Sequence, residues 1–238
     1  MKYLIIAVMS FYTIGCLTPT YNEVTTVNIN LKTIGIDISH HQGKIDWDEF
    51  GLYKDNPISF IYIKATEGST YQDPMYSSYV DGVKDKDIPL GSYHYFRTSS
   101  PVVTQFQNFK SVVNIEEQDL IPMIDIEECK NWKGQVFHDS LKLFLNLVED
   151  CFGKKPILYT VNSFYNSYMR HKYKDYYLCV GRYSKHQPNL FDGHSWILWQ
   201  YTESGVIPGI EKNVDIDFIN PNYNLTNLKI KKNGKEKI

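Results

Sequence analysis

The sequence lacks a large excess of charge of either sign. Its 238 residues carry a formal net charge of −2, and 22% of them are charged. A nearly neutral chain is only weakly attracted to phosphate backbones, so this balance argues against a nucleic-acid partner. The chain also shows neither an internal repeat nor a second domain, and its length suits one large domain.

Cysteine is scarce, with four residues in the chain. Cys16 belongs to an N-terminal segment considered below, which leaves Cys129, Cys151 and Cys179. An odd number leaves at least one thiol unpaired, and the spacings match no zinc-binding pattern. We therefore predict three free and largely buried thiols, no metal site and no cofactor.

A hydrophobic run long enough for a typical membrane span is absent as well. The apolar N-terminal run from Leu4 to Gly15 follows the cation Lys2 and is short, which is typical of an export signal. Residues 13–16, TIGC, resemble a bacterial lipoprotein cleavage box, with Cys16 as the lipidated residue. Ordinary secretion after cleavage nearby is the alternative.

The N-terminal segments are therefore predicted to lie outside the folded domain. Residues 1–16 would form the export segment, and the polar residues 17–32 a tether. We expect an exported protein that is anchored to the cell envelope through a lipid or is otherwise secreted. In either case, membrane contact would occur only through that lipid.

Short strand-like and helix-like segments alternate from residue 33 onward. Strands are predicted at residues 34–38, 58–66, 88–96, 121–127, 156–161, 177–181, 195–201 and 214–219. Helices are predicted at residues 46–53, 74–86, 102–113 and 135–151. The last is the clearest amphipathic helix, in which five apolar residues recur at helical spacing: Val136, Leu141, Phe144, Leu145 and Val148.

This alternation predicts an α/β fold with a parallel sheet or a barrel. Helices become rare after Tyr168, so a regular eightfold barrel is disfavoured. A single barrel over residues 33–220, whose last part is mostly strand, fits better. Residues 221–238 are predicted to be a basic C-terminal tail.

Two acids interrupt the apolar segment at residues 121–127, IPMIDIE. Residues two apart in a strand point to the same face, so Asp125 and Glu127 would lie side by side while Ile124 and Ile126 pack on the other face. Carboxylates held close in apolar surroundings cannot both ionise easily, which is the setting of a general acid that works near neutral pH. A solvated pair at a strand end is the alternative.

Further acids fall at the ends of other predicted strands. Asp37 lies near the end of the first strand and Glu67 just past the second, while Asp215 and Asp217 lie two apart in the last. In α/β barrels the loops beyond the carboxyl ends of the strands build the active site. These acids would therefore converge on one mouth.

Aromatic and amide side chains are abundant at the same end. The chain is 15% aromatic, and the residues predicted to join the acids are Tyr93, Tyr95, Tyr159, Trp199 and Gln200. Sugar rings stack on aromatic faces, and their hydroxyls need fixed polar partners. Paired carboxylates are used in glycoside hydrolysis, so the pattern favours an enzyme that acts on a sugar polymer.

Six blocks of the sequence resemble the family 25 glycoside hydrolases, the Chalaropsis-type lysozymes. They are residues 35–47 (GIDISHHQGKIDW), 63–68 (IKATEG), 91–96 (GSYHYF), 122–127 (PMIDIE), 198–201 (LWQY) and 214–217 (VDID). The resemblance runs in order from about residue 33 to residue 220. Residues 178–183 (LCVGRY) depart from it, with Cys179 where the family usually has Trp and Gly181 where it usually has Ala.

The resemblance implies an irregular, TIM-like (β/α)5β3 barrel. It also implies cleavage of the β-1,4 bond between N-acetylmuramic acid and N-acetylglucosamine in peptidoglycan, with retained configuration. Glu127 resembles the general acid/base, and Asp125 the residue that holds the 2-acetamido nitrogen of the substrate. Asp215 and Asp37 would position the sugar, whereas a direct nucleophile role for an aspartate remains open.

The remaining site residues are expected to bind substrate. They are Glu67, Tyr93, Tyr95, Tyr159, Trp199, Gln200 and Asp217. The expected partner is a peptidoglycan glycan strand, and the enzyme is expected to act as a monomer.

Two other classes of function remain open at this point. A metal hydrolase could use His40, His41, Asp37 and Asp125 as ligands, although adjacent histidines on one strand diverge. A wall-binding module on the same fold could have weak or no catalysis. All the expected acids are present, which favours the enzyme.

Overall fold

The computed structural model describes residues 33–230. Ten strands are present in this range: β1 (Ile34–Ile38), β2 (Leu52–Tyr53), β3 (Asn56–Glu67), β4 (Tyr71–Gln72), β5 (Leu90–Tyr95), β6 (Met123–Asp125), β7 (Ile157–Val161), β8 (Leu178–Gly181), β9 (Leu198–Gly205) and β10 (Val214–Ile219). Four α-helices accompany them: α1 (Tyr76–Lys84), α2 (Val102–Val112), α3 (Gln135–Phe152) and the short α4 (Asn162–Phe164). A π-helix at Tyr165–Met169 continues α4.

Eight of the strands close into a barrel. The hydrogen-bonded order is β1-β10-β9-β8-β7-β6-β5-β3, and β1 also pairs in parallel with β3, which completes the ring. Neighbouring strands run parallel except for β10, which is antiparallel to both β1 and β9. The predicted irregular α/β barrel in a single domain is confirmed.

The two faces of the barrel strands are both buried, in separate apolar clusters. The interior cluster includes Tyr62, Met123 and Leu198, while residues one position away in sequence, such as Ile61 and Ile124, belong to the cluster under the helices. Since side chains alternate along a strand, strands such as β3, β6 and β9 contribute to both clusters. Side chains that lie on the interior face near the carboxyl ends of the strands can therefore meet at one mouth.

Helix α3 forms where the amphipathic pattern predicts it. Leu141, Phe144, Leu145 and Val148 are fully buried, and each contributes about 1.5–3 kcal/mol by leaving water. Val136 is an exception to the predicted apolar face, because it lies in the first turn and is 59% exposed. The residue after the helix is Gly153, whose φ of 71° suits glycine.

The helix predicted at residues 46–53 is wrong. The first connection instead contains a short 3₁₀ helix at His40–Gln42, and β2 pairs with the start of β3 as a hairpin. Lys54 and Asp55 form the turn with φ values of 48° and 65°. Two successive positive φ values are those of a type I′ hairpin turn. Leu52 and Tyr53 are therefore extended as the first strand of this hairpin and cannot end a helix.

Residues 221–230, which the sequence assigns to the C-terminal tail, pack against the barrel. Leu228 is fully buried, its backbone carbonyl accepts a hydrogen bond from Ile121, and Lys229 forms a bridge with Leu120. The basic residues beyond residue 230 lie outside the described range, as do the predicted export segment, tether and Cys16. None of the helices within residues 33–230 combines the length and the apolar character that a membrane span requires.

Candidate active site

A pocket of about 140 Å³ opens at the end of the barrel where the parallel strands finish. Its lining residues are Asp37, Tyr93, Met123, Asp125, Glu127, Tyr159, Tyr183, Gln200 and Asp215. All of them except Met123 and Tyr183 are among the residues predicted from the sequence. The structure therefore brings together acids, rings and an amide from six strands and from the segments after β6 and β8.

Strand register explains why these side chains meet. Asp125 is paired with Tyr95 of β5 on one side and with Tyr159 of β7 on the other. Asp37 is paired with Asp215 across the antiparallel contact of β1 and β10. Side chains of directly paired residues point to the same face of a sheet, so each acid has a defined neighbour on the interior face.

Glu127 lies just beyond the end of its strand. Strand β6 ends at Asp125, two residues earlier than predicted, but the backbone N–H of Ile126 still donates to the carbonyl of Tyr159 at 2.9 Å. The extended path therefore continues far enough for Asp125 and Glu127 to face the same pocket. The hydroxyl of Tyr95 donates to Oε2 of Glu127 at 3.1 Å and holds this carboxyl in the mouth.

Gln200 links three other residues of the pocket. Its Nε2 atom donates to Oδ2 of Asp37 at 2.7 Å, and its Oε1 atom accepts from Tyr159 at 2.7 Å and from Tyr183 at 2.9 Å. A Cβ atom added at Gly181 would lie 2.8 Å from the Tyr159 hydroxyl oxygen. Glycine at this position therefore leaves room for the Tyr159–Gln200 contact.

Burial and mutual repulsion raise the pKa values of the clustered aspartates. Burial is the largest cause for each of them. It combines with the charge of Asp217 to hold the pKa of Asp37 well above its ordinary value, and with the charge of Glu127 to do the same for Asp125. Burial and the neighbouring Asp37 raise the pKa of Asp215 to about 9. The pocket therefore holds fewer negative charges than carboxyl groups at neutral pH.

Asp217 lies in the barrel interior but does not line the pocket. It is fully buried, and burial together with the charge of Asp215 raises its pKa to about 7. The Cys179 thiol donates to Oδ1 of Asp217, with Sγ 3.9 Å from that oxygen. Oδ2 of Asp217 has no hydrogen-bond partner within residues 33–230. Cys179 is thus also an interior residue, and the three cysteines of the described range are free.

Glu67 is engaged by cations at the rim rather than exposed in the pocket. Lys64 donates to its Oε2 atom at 2.7 Å, and two nitrogens of Arg97 contact its Oε1 atom at 2.6 and 2.8 Å. Both cations lie over the ring of Tyr95, with Lys64 Nζ 5.1 Å and Arg97 Cζ 4.4 Å from its centroid. This group of residues supports Tyr95, which in turn contacts Glu127.

Trp199 does not reach the pocket, because it lies on the opposite face of β9 from Gln200. Its ring packs against Trp196, Tyr201 and Phe218 in the cluster under the helices, and its Nε1 atom donates to the carbonyl of Arg182 at 2.8 Å. Trp199 is therefore a core residue in this structure and does not line the pocket.

The adjacent histidines are also outside the pocket. His40 Nδ1 lies 2.9 Å from Oδ2 of Asp73 and 3.0 Å from the hydroxyl of Tyr71. Neither His40 nor His41 lines the cavity that contains Asp37 and Asp125. The ligand set considered from the sequence is therefore not brought together.

The geometry suits acid–base chemistry on a hydroxyl-rich ligand. Several carboxyls share few negative charges, and such a cluster stabilises positive charge that develops between them. Tyrosine hydroxyls and one amide offer hydrogen bonds around it. Asp125 lines the pocket, and its buried Oδ1 atom has no hydrogen-bond partner within the described residues.

The sequence matches the family described as glycosyl hydrolases family 25 over residues 36–210. The Escherichia coli K12 protein YegX is 32% identical over 188 residues, which cover 78% of this chain and 69% of that protein. An autolytic lysozyme of Clostridium acetobutylicum is 30% identical over 183 residues, which cover 77% of this chain and 54% of the relative.

Solved structures show the same likeness. A family 25 glycosyl hydrolase from Bacillus anthracis superposes with a TM-score of 0.72 at 31% sequence identity. The superposition covers 81% of this chain and 91% of the other. The similarity therefore extends over nearly the whole of the described barrel.

Proposed function

The chain belongs to glycosyl hydrolase family 25, and on this premise we propose that it cleaves peptidoglycan between N-acetylmuramic acid and N-acetylglucosamine with retention of configuration. The protein is a glycoside hydrolase of the lysozyme type, since its family and its relatives agree. The observation that carries the finer proposal is the pair Asp125 and Glu127, which face one pocket from the end of β6.

Glu127 is assigned as the general acid and base. It lies at the mouth and receives a hydrogen bond from Tyr95. In the first step Glu127 donates its proton to the glycosidic oxygen as the bond to the anomeric carbon breaks, which releases the N-acetylglucosamine hydroxyl. In the second step its carboxylate takes a proton from water as the water oxygen attacks the anomeric carbon.

Asp125 is assigned as the partner of the substrate's 2-acetamido group. Its buried Oδ1 atom lacks a protein donor, and the amide N–H of the sugar would supply one. With the amide so held, its carbonyl oxygen attacks the anomeric carbon and forms an oxazolinium ion, which water then opens. Two displacements at the same carbon retain its configuration.

Asp37 and Asp215 are assigned to positioning and charge. They are paired across β1 and β10, and the raised pKa of each reflects crowding by other carboxyls. The transition state of glycoside hydrolysis carries positive charge near the ring oxygen. Carboxyls that repel one another are stabilised by a positive charge that develops between them, so the cluster favours this transition state. Tyr93, Tyr159 and Gln200 supply hydrogen bonds to the same sugar.

We place the enzyme outside the cell membrane, where peptidoglycan lies. The N-terminal sequence supports export, with a lipid on Cys16 or with simple secretion as the two routes. The active unit is proposed to be a monomer, since the pocket within a single chain already contains Glu127, Asp125, Asp37 and Asp215.

The identity of the new reducing end tests the function. Purified peptidoglycan is incubated with the full-length protein, and the released ends are reduced with borohydride and hydrolysed. Muramitol is the expected product, whereas glucosaminitol would indicate cleavage of the other glycosidic bond. Protein that sediments with the wall and releases neither product would be a binding module.

A further inference from the structure

A second and larger groove opens on the other side of Glu127. Its volume is about 850 Å³, and it lies between the segment after β6, the start of α3 and the helical segment after β7. Glu127 lines both this groove and the pocket of about 140 Å³ that contains Asp37, Asp125 and Asp215, which we call the carboxyl pocket. A ligand held at Glu127 therefore has access to both.

The rim of this groove is basic, in contrast to the carboxyl pocket. Lys130, Lys133, Arg170 and Lys172 line it and are exposed. Lys130 Nζ lies 3.5 Å from Oε2 of Glu128, whereas the other three have no ion-pair partner among residues 33–230. The electrostatic character of the surface thus changes sign at Glu127, from several acids on one side to several cations on the other.

Aromatic side chains form the floor of the groove. The rings of Phe164 and Tyr168 are 4.8 Å apart, and Tyr168 is 51% exposed. His138 also lines the groove and is buried, and its Nδ1 atom contacts the Tyr173 hydroxyl at 2.8 Å, so its ring is held in place. Cations above an apolar floor suit a ligand that has carboxylates on a partly apolar backbone.

We propose that this groove binds the carboxylates of the peptide attached to the muramic acid next to the bond that is cleaved. The inference rests on the proposed function, which puts the glycosidic oxygen at Glu127. The peptide is joined to the lactyl group of that sugar and carries free carboxylates. The carboxyl pocket repels these carboxylates and the groove attracts them. The charge pattern therefore also fixes the direction in which the glycan strand of the substrate lies across the site.

The test pairs two substrates with two variants of the full-length chain. The substrates are soluble muropeptide oligosaccharides that differ only in whether the carboxylates of the peptide are free or amidated. Lys133→Glu combined with Arg170→Glu reverses the charge of the groove. Lys110→Glu is the matched control, since Lys110 is exposed on α2 and lines neither site.

For free carboxylates, we expect the double variant to raise KM about 10- to 100-fold with kcat within about threefold of wild type. For amidated peptides, the double variant and the wild type should differ by less than about twofold. Equal losses on both substrates, or no loss on either, would overturn the inference.

Binding of a muramyl tripeptide, which has no glycosidic bond, separates this inference from the proposed function. Calorimetry should show binding to the wild type that weakens at least tenfold in the double variant and is unchanged in Lys110→Glu. If the wild type cleaves neither oligosaccharide yet shows this pattern, the proposed function fails and the groove inference stands. If cleavage occurs but the tripeptide binds equally to all three proteins, the groove inference fails alone.

Discussion

Nε2 of Gln200 donates a hydrogen bond of 2.7 Å to Oδ2 of Asp37, although 163 positions separate the two residues in the chain. Two tyrosine hydroxyls occupy the Oε1 atom of the same amide, so its nitrogen is left to face Asp37. The orientation of Asp37 thus depends on a residue of β9 and on two residues from β7 and the segment after β8.

Replacing Gln200 by leucine should impair both catalysis and stability. Asp37 loses its donor, and the hydroxyls of Tyr159 and Tyr183 lose an acceptor. We expect kcat/KM to fall about 10- to 100-fold and the free energy of unfolding to fall by about 1–3 kcal/mol. Tyr183→Phe leaves the contact with Asp37 intact, so an equal loss in that variant would contradict the linkage.

Glu127→Gln should remove wall lysis while leaving the fold intact. The amide keeps the size of the side chain and can still accept from Tyr95, but it has no proton to donate to the glycosidic oxygen. Loss of acid catalysis is expected to reduce kcat by about 10²–10⁴-fold. Turbidity of a wall suspension and circular dichroism measure the two properties. If the variant retains more than about a tenth of the rate, a residue other than Glu127 is the general acid.

Asp125→Asn distinguishes the two routes to retention. If the acetamido group is the nucleophile, the amide still hydrogen-bonds the substrate but does not stabilise the positive oxazolinium ion, so kcat should fall strongly while substrate is still bound. A thiazoline analogue of that ion should then inhibit the wild type well below the substrate KM. Mass spectrometry after treatment with a fluorinated glycoside provides the opposing test, because a sugar covalently attached to an aspartate would identify a protein nucleophile.

Asp217→Asn should raise stability relative to wild type as the pH increases. The folded-state pKa of about 7 exceeds the unfolded value of about 3.9, so the unfolded chain loses its proton first. Below about pH 4 both states are protonated and Asp217 has no effect. Between about pH 4 and 7 the wild type loses stability, by at most about 4 kcal/mol, and above pH 7 the cost is complete. Urea unfolding of both proteins at pH 4.5 and 8 measures the difference, and a difference independent of pH would rule out this pKa.

Cys16→Ser tests the predicted anchor, which lies outside the described residues. Metabolic labelling with a palmitate analogue should tag the wild type and not the variant, because the thiol of Cys16 is the predicted attachment site of the lipid. Cys129→Ser is a suitable control, since that thiol belongs to the folded barrel. If the wild type is instead recovered untagged from the medium, with a mature N-terminus other than Cys16, the protein is ordinarily secreted.

Local patterns determined most of the fold. Helix α3 begins at Gln135 as predicted and ends one residue later than predicted, because its apolar residues recur with the helical period. The pair Asp125 and Glu127 could be placed on one face because the period of an extended chain is also local. The hairpin of β2 and β3 was missed, since its turn depends on the positive φ values of Lys54 and Asp55, which are not glycine.

The same rule that located most of the site could have found one residue that was missed. Tyr183 follows the carboxyl end of β8, where loops of the barrel build the site, and it lines the pocket. Met123 carried no such signal, because an apolar residue in a buried strand is ordinarily a core residue.

Tertiary structure alone decided which predicted residues face the carboxyl pocket. Gln200 and Trp199 are neighbours in β9, and both are buried, because the interior and the helix-covered side of a barrel are each apolar. Alternation separates such neighbours but does not say which one points inward, since neither face is marked by exposure to water. Glu67 is a second case: its ion pair with Arg97 depends on the adjacent ends of β3 and β5, a proximity that exists only after the barrel has closed.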